Sequence, residues 1–259
     1  MTESAARPVN EKQLMERFHR WLWGLHGLAS VLLGLAFFPM VFLFYTVWKS
    51  MAWAAPWLKI LALSFSIGLG YFVFGLTLIL LCVLAKNIFG FRITPGFYTM
   101  YSIESLRWMG YNSLILIANN AFLDVLRISP FQTLFCRLMG AKIGKGVNVN
   151  TAGLADLCML EIGDDALIGG GVALICHAFD RGFLRLLPTK IGKKVSIGLG
   201  SVIMPDCEIG EGASVAPCSF VPKGSRIPAK AVWGGNPAED LRAKRRAEMS
   251  QNRADQPPA

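Results

Sequence analysis

The hydrophobic pattern of the chain changes character halfway along. In the second half apolar residues recur every six positions: Ile162, Ile168 and Leu174, then Ile191, Ile197, Ile203, Ile209, Val215, Val221 and Ile227. A small residue follows most of them four positions later, as at Ala166, Val172, Val195, Ser201, Cys207, Ala213, Ser219, Ser225 and Ala231, and five are followed directly by Gly. A period of six fits neither a helix nor an alternating strand, and repetition at a fixed short period marks a solenoid. The pattern predicts a left-handed parallel β-helix over 141–237, of about four coils. Three hexads make a coil, each side turns one aliphatic side chain inward, the small residue sits at the corner, and Gly serves where the torsion is awkward. Residues 162–179, 191–208 and 209–226 each read as one coil, stacked at roughly 4.8 Å. A less regular coil begins at Ile143 and Val149. Residues 180–190 fit no hexad and are expected to form a loop thrown out at one corner.

The first half is built differently. Residues 21–48 and 60–85 contain no Asp, Glu, Lys or Arg, and each run exceeds the roughly 20 residues that cross a bilayer. They predict a transmembrane helical hairpin over 21–86. Trp21, Trp23, Trp48, Trp53 and Trp57 lie at or near the ends, where amphipathic rings favour the headgroup layer, and the first run is too long for a signal peptide. Arg7, Lys12, Arg17 and Arg20 precede the hairpin, Lys49 and Lys59 lie inside it, and Lys86, Arg92 and Arg107 follow. This bias predicts a multi-pass protein of the inner membrane, with the 1–20 segment, the β-helix and both termini cytoplasmic. Six scattered cysteines, without paired spacing, fit a reducing compartment.

Between the two halves, 87–140 is expected to hold interfacial or re-entrant and capping helices. Residues 108–123 are uncharged but carry Asn112, Asn119 and Asn120, which fit bracing of the solenoid or the lining of an entrance for a lipid-bound acceptor. Ser129 and Pro130 read as a cap and first turn, with Phe131, Leu134, Phe135, Leu138 and Met139 as the apolar face and Gly140 as the stop. Beyond Asn236-Pro237, 238–259 reads as a short basic helix followed by a disordered tail. The net charge of +9 lies mainly in membrane-flanking segments and the tail. Anionic lipid is the matching partner. Nucleic acid is not, because the aromatics that would stack bases belong mostly to the membrane half.

His177 is the one histidine of the solenoid, three residues past an inward Leu174 and at the threshold of the long loop. A side chain titrating near neutrality in such a place is a candidate general base. Asp180 is placed to orient the imidazole or bind an acceptor amine, and Asp156 of the preceding coil to reach the same cleft; both also fit solvated turn residues. Cys176 beside His177 points to the opposite face of an extended chain, so it reads as packing rather than nucleophile. An open zinc site needs about three imidazoles, so no metal is expected; His19 and His26 sit at the start of the first helix and read as interfacial. Lys223 and Arg226 are candidates for coenzyme phosphates, and equally fit solvated cations at solenoid turns.

The stretches EIGDDALIGGGVALICHAFD, KIGKKVSIGLGSVIMPDCEIGEGASV and VWGGNPAE resemble the hexapeptide-repeat acyltransferase superfamily, over about residues 140–240. The resemblance implies an O- or N-acyltransferase, acetyl-CoA as co-substrate, a trimer with sites between neighbouring subunits, and His177 as base on an acceptor hydroxyl or amine. It places the coenzyme along Ser196, Gly198 and the Gly235-Asn236-Pro237 segment. Where many sugar acetyltransferases carry Trp before the Ile-Gly after the loop, this chain has Ser196. The membrane half, with ADL before EIGDD and His and Asp at the loop, also resembles the membrane-embedded terminal domains of polylysine-type peptide synthetases, which join a carrier-bound acyl group to an amine. An envelope-glycan or lipid-linked acceptor follows from the hairpin. A carrier-bound thioester donor and a non-catalytic membrane scaffold are the alternatives.

Overall fold

The computed structural model describes residues 11–254, so Arg7 and the expected disordered tail beyond 254 lie outside the described residues. The described residues form two compact units that divide after Arg92 and after Ile117, with 93–97 belonging to the second. The stretch 87–140, expected to hold interfacial and capping helices, contributes to both units. The helices of that intermediate stretch are shared out, and the last turn of a single helix begins the second unit.

In the first unit, helices α1 (Glu11–Ser50) and α2 (Pro56–Ile88) pair antiparallel. Phe37 stacks on Phe74 at 4.4 Å, and Met40 lies against Gly70, where an added Cβ would come within 2.9 Å of its Cγ. Their apolar windows have mean hydropathies of 2.3 and 2.5, yet only 11% and 33% of each is buried. A helix pair in a soluble core would have most of its side chains covered. Here Phe38, Phe42, Phe65 and Leu69 stand exposed. Both helices are long and apolar enough to cross a bilayer. Helix α3 (Ile103–Ala121) starts five residues before the expected 108, because Ser102 accepts the Ser105 N–H at 3.1 Å and caps it.

The second unit is a parallel β-helix with three sides. Lys142–Ile143, Leu160–Ile162, Thr189–Ile191, Glu208–Ile209 and Arg226–Ile227 form the first. Asn148–Val149, Leu167–Ile168, Ser196–Ile197, Ser214–Val215 and Val232–Gly235 form the second. Ala173–Leu174, Val202–Ile203 and Phe220–Val221 form the third, extended by a bridge from Leu154 to Leu174. The hexad residues pair in register, Ile168 with Ile197 and Ile197 with Val215, and are buried.

The corners are made one residue earlier than the small positions suggest. Asp165, Lys194, Asp206 and Cys218 adopt left-handed backbone at φ 58, 55, 62 and 55, and Gly takes that place at other corners, as at Gly171, Gly200 and Gly212. The small residue after each, such as Ala166 or Cys207, points inward and is buried. The Gly directly after an inward residue has another cause. A Cβ on Gly163 would lie 2.6 Å from the Lys193 N of the next coil, and one on Gly198 2.4 Å from the Pro217 N. Contact between stacked coils excludes it.

Outside the first side, the residue before each inward one forms a column of alternating charge: Lys142, Glu161, Lys190, Glu208 and Arg226. Lys142–Glu161 closes at 2.5 Å, Lys190–Glu208 at 3.8 Å and Arg226–Glu208 at 3.7 Å. Each exposed pair is worth little, but opposite charges on adjacent strands favour this register over a slipped one.

Helix α4 (Pro130–Met139) caps the first coil and ends at Gly140 in left-handed conformation. Its buried face is Gln132, Phe135, Cys136 and Met139, whereas Leu134 and Leu138 of the expected face are exposed. These four buried residues share one helical stripe, and the Gln132 amide on it donates to the Thr151 carbonyl at 3.3 Å. At the other end Ala238–Asp240 pairs back on Val232–Gly235, so the basic helix α5 (Leu241–Ala254) begins later than Ala238. Asp240 caps it, accepting the N–H groups of Arg242 and Ala243 at 2.8 and 3.1 Å. Gly163→Ala is expected to destabilise the β-helix by about 1–3 kcal/mol, since the methyl must displace backbone rather than a flexible side chain. Thermal unfolding followed by circular dichroism checks it; an unchanged midpoint counts against the stacking argument.

Candidate functional site

His177 stands three residues past Leu174, the place where Asp206 and Gly224 turn the same corner with left-handed backbone. Here the chain stays extended and leaves the coil as a hairpin, His177–Asp180 against Phe183–Leu186. Arg181 and Gly182, both at positive φ, supply its two-residue turn. The Leu187 N–H donates to the Cys176 carbonyl at 2.8 Å and closes the base. The expected 180–190 loop is thus a hairpin from 177, and Thr189 and Lys190 already belong to the next coil.

One coil earlier, at the same corner, lies Asp156. Its side chain has no solvent exposure, so it is not the solvated turn residue that one reading allowed. Its Oδ2 accepts from His177 Nδ1 at 2.6 Å and from the Cys176 N–H at 3.1 Å. A carboxylate only accepts, so the imidazole hydrogen belongs on Nδ1 and the lone pair on Nε2. The His177 side chain is 23% exposed. Phe179 flanks it edge-on, ring centres 6.0 Å apart. The pair can take up a proton at Nε2 while the carboxylate holds the ring and balances the resulting charge.

Asp156 is placed by an irregular segment. Its backbone is left-handed at φ 53, and a short 3-10 turn, Leu157–Met159, follows. The preceding residues are pinned from the cap: Asn119 donates to the Ala152 carbonyl at 3.0 Å and Gln132 to that of Thr151 at 3.3 Å. Thr151 Oγ1 donates to the Val172 carbonyl of the next coil at 2.8 Å and accepts the Gly153 N–H at 2.9 Å. The hexad count fails over this stretch, which hid the contribution of Asn119, Gln132 and Thr151; an asparagine and a glutamine at the ends of the two helices that lead into the solenoid were the available signal.

Asp180 does not orient the imidazole. It pairs with Arg185 at 3.1 Å and Lys223 at 3.3 Å, and Arg185 in turn lies over the Phe97 ring at 5.0 Å. Lys223 therefore ties the hairpin to a later coil. Arg226 is engaged on the first side by Asp206 at 2.9 Å and by Glu208. Ser196 is exposed on the second side, Gly198 begins the corner after it, and Gly235, Asn236 and Pro237 turn the closing hairpin off that side. Within one chain these five stand at a different corner from His177. Cys176 is buried, and burial pushes its thiol up to about 12. His19 and His26 pair with carbonyls one turn earlier in α1, each at 2.8 Å. Among the described residues no group of three or more His, Cys, Asp or Glu is arranged to hold a metal ion.

Residues 188–223, the coils directly after the hairpin, match the family model of the bacterial transferase hexapeptide (six repeats). The chain is 29% identical over 167 residues, 64% of its length, to the delta-poly-L-ornithine synthetase of Acinetobacter baumannii (strain AB307-0294), of which it spans only 12%. It is 27% identical over 138 residues to "Putative acetyltransferase YvoF" of Bacillus subtilis (strain 168), covering 51% of this chain and 79% of that one. Among solved structures, the hexapeptide-repeat acetyltransferase VCA0836 of Vibrio cholerae complexed with acetyl coenzyme A aligns at 27% identity, over 39% of this chain and 59% of that one, with a TM-score of 0.36. A maltose O-acetyltransferase from Clostridium difficile 630 aligns at 20% identity, over 57% and 91%, with a TM-score of 0.42.

A thiol pushed up to about 12 has almost no thiolate below pH 9, and Cys218 is exposed. Brief treatment with iodoacetamide at pH 8 is therefore expected to label Cys218 at least tenfold faster than Cys176, on the order set by exposure and thiolate fraction. Peptide mass spectrometry reads both; comparable labelling would contradict the packing role of Cys176.

Proposed function

We propose that this chain, whose solenoid carries the bacterial transferase hexapeptide, is a membrane-anchored acyltransferase in which His177 is the general base and Asp156 its positioning partner. The observation that carries the reading is the 2.6 Å contact from His177 Nδ1 to a fully buried carboxylate, at the point where the chain leaves the coil. The acceptor O–H or N–H gives its proton to Nε2 as its heteroatom attacks the thioester carbonyl. Backbone N–H groups of the coil stabilise the oxyanion. The tetrahedral intermediate then collapses, the C–S bond breaks, and the thiolate takes the proton back from Nε2.

Acetyl-CoA is the proposed donor. The separation of Ser196, Gly198 and Gly235–Pro237 from His177 within one chain supports a homotrimer, with a neighbouring copy bringing the coenzyme surface to the imidazole. Lys223 and Arg226, held in ion pairs, are less suited to phosphates than their types suggested. The exposed apolar surfaces of α1 and α2 support a multi-pass anchor. The charge bias supports a cytoplasmic solenoid, anionic lipid around the anchor, and a hydroxyl or amine acceptor tied to the bilayer as an envelope-glycan or lipid-linked precursor. The likeness to delta-poly-L-ornithine synthetase favours a second reading, amide formation from a carrier-bound thioester with the same base.

The test is thiol release from acetyl-CoA by the detergent-solubilised chain in a membrane-lipid extract. His177→Ala is expected to lower turnover by about 100-fold to 10,000-fold with binding retained. Asp156→Asn turns the acceptor into an amide that can donate to Nδ1, favouring the wrong tautomer; a loss on the order of 100-fold or more is expected. Full activity of His177→Ala would exclude the base assignment. Absence of acetyl-CoA binding with activity on a carrier-bound thioester would select the second reading, and inertness toward both would leave the scaffold.

A further inference from the structure

A second recess lies in the helical unit, at the end of the hairpin where α1 begins and α2 finishes. Trp21, Gly24 and Leu28 of α1, Phe89 and Phe91 after α2, and Arg107 of α3 are among the residues around a cavity of about 320 Å³. Its wall is apolar apart from the one guanidinium. Gly24 opens it: a Cβ there would meet nothing within 4 Å. The volume stands at the low end of ligand sites, which run from roughly 300 to 1,000 Å³. It suits part of one hydrocarbon chain and leaves a headgroup outside.

The one charged residue of the wall is Arg107. Arg107 is exposed and forms no ion pair among the described residues, although Glu104 lies one turn before it. Arg20 directly precedes Trp21 and Arg92 directly follows Phe91 in the sequence. Trp21 is 60% exposed, as an indole at headgroup depth would be. An apolar slot whose one charged wall residue is an exposed guanidinium is complementary to a molecule with an apolar chain and a phosphate at one end.

We propose that this recess binds one acyl chain of an anionic phospholipid, with the chain against Gly24 and the phosphate on Arg107. The proposal rests on the reading of α1 and α2 as membrane-spanning and is independent of acyl transfer at His177.

The full chain, reconstituted in phosphatidylcholine vesicles, is titrated separately with spin-labelled phosphatidylglycerol and spin-labelled phosphatidylcholine, and the motionally restricted fraction is read by electron paramagnetic resonance. Phosphatidylglycerol is expected to be preferred by about fivefold, the order of ratio one well-placed cation supplies. Arg107→Gln should bring the ratio close to one. Gly24→Leu should lower the restricted fraction for both labels, with helicity unchanged by circular dichroism. Equal binding of the two lipids by the native chain, or an unaltered preference in both variants, overturns the proposal. Displacement of phosphatidylglycerol by a far lower concentration of polyprenyl phosphate also overturns it, assigning the recess to a lipid-linked acceptor. Extraction of the chain by alkaline carbonate overturns the membrane reading and this proposal together; partitioning without lipid preference overturns the proposal alone.

Discussion

The fixed distance between stacked coils is the constraint on which the solenoid and its site depend. Parallel hydrogen bonding on three sides holds each coil against the next, and Gly163, Gly198 and Gly210 have backbone of the following coil where a side chain would begin. The interior is thereby reduced to columns of Ile, Leu and Val with small residues at the corners. Neither a titratable group nor a bulky one fits a column without disturbing two neighbours. Chemistry is confined to places where the chain stops repeating. Adjacent coils depart from the hexad at 150–159 and again at 176–187, and both departures end at one corner. Stacking then brings Asp156 and His177 into contact across twenty-one positions of sequence.

This explains which parts were legible beforehand. The hexads were, because a period of six has one architectural meaning and each copy confirms the last. His177 stood out for the same reason, as a polar residue at a numbered place in the repeat. Asp156 was legible only as one of two carboxylates within reach of the cleft, with a solvated turn as the other reading: it follows the bridging Leu154 by two residues, whereas the corner residues Asp165 and Asp206 follow Ile162 and Ile203 by three. Counting fails where the coil is irregular. Asp180 was the nearer carboxylate in sequence and the wrong one in space, because an antiparallel hairpin carries it along the ladder toward Arg185 and Lys223.

Basic residues were the least legible. Lys223 and Arg226 lie three positions apart, and in the sequence both fit either coenzyme phosphates or solvated turns. In the fold they serve different ends. Arg226 completes an alternating column down the first side, where its partners are fixed by strand register. Lys223 reaches across a corner to hold the hairpin. A cation in a solenoid takes its role from the side or corner it occupies, and that is a count modulo eighteen which any excursion resets.

The irregular stretch that carries Asp156 also creates a difficulty of its own. Where a coil departs from the ladder, its buried carbonyls lose their partners, and a buried unpaired carbonyl is costly. Asn119 and Gln132 resolve this by donating to Ala152 and Thr151 from the last turn of α3 and the first turn of α4. The amide of Asn119, one of the polar residues of the 108–123 segment, is thus committed to a backbone carbonyl. The same two amides fix the backbone that leads into the left-handed turn at Asp156, so the position of the carboxylate, and through it the orientation of His177, is set by side chains that touch neither. A hydrogen bond of 2.6 Å leaves little room for that backbone to drift. The helical cap is therefore part of the site's framework as well as the closure of the solenoid's open end.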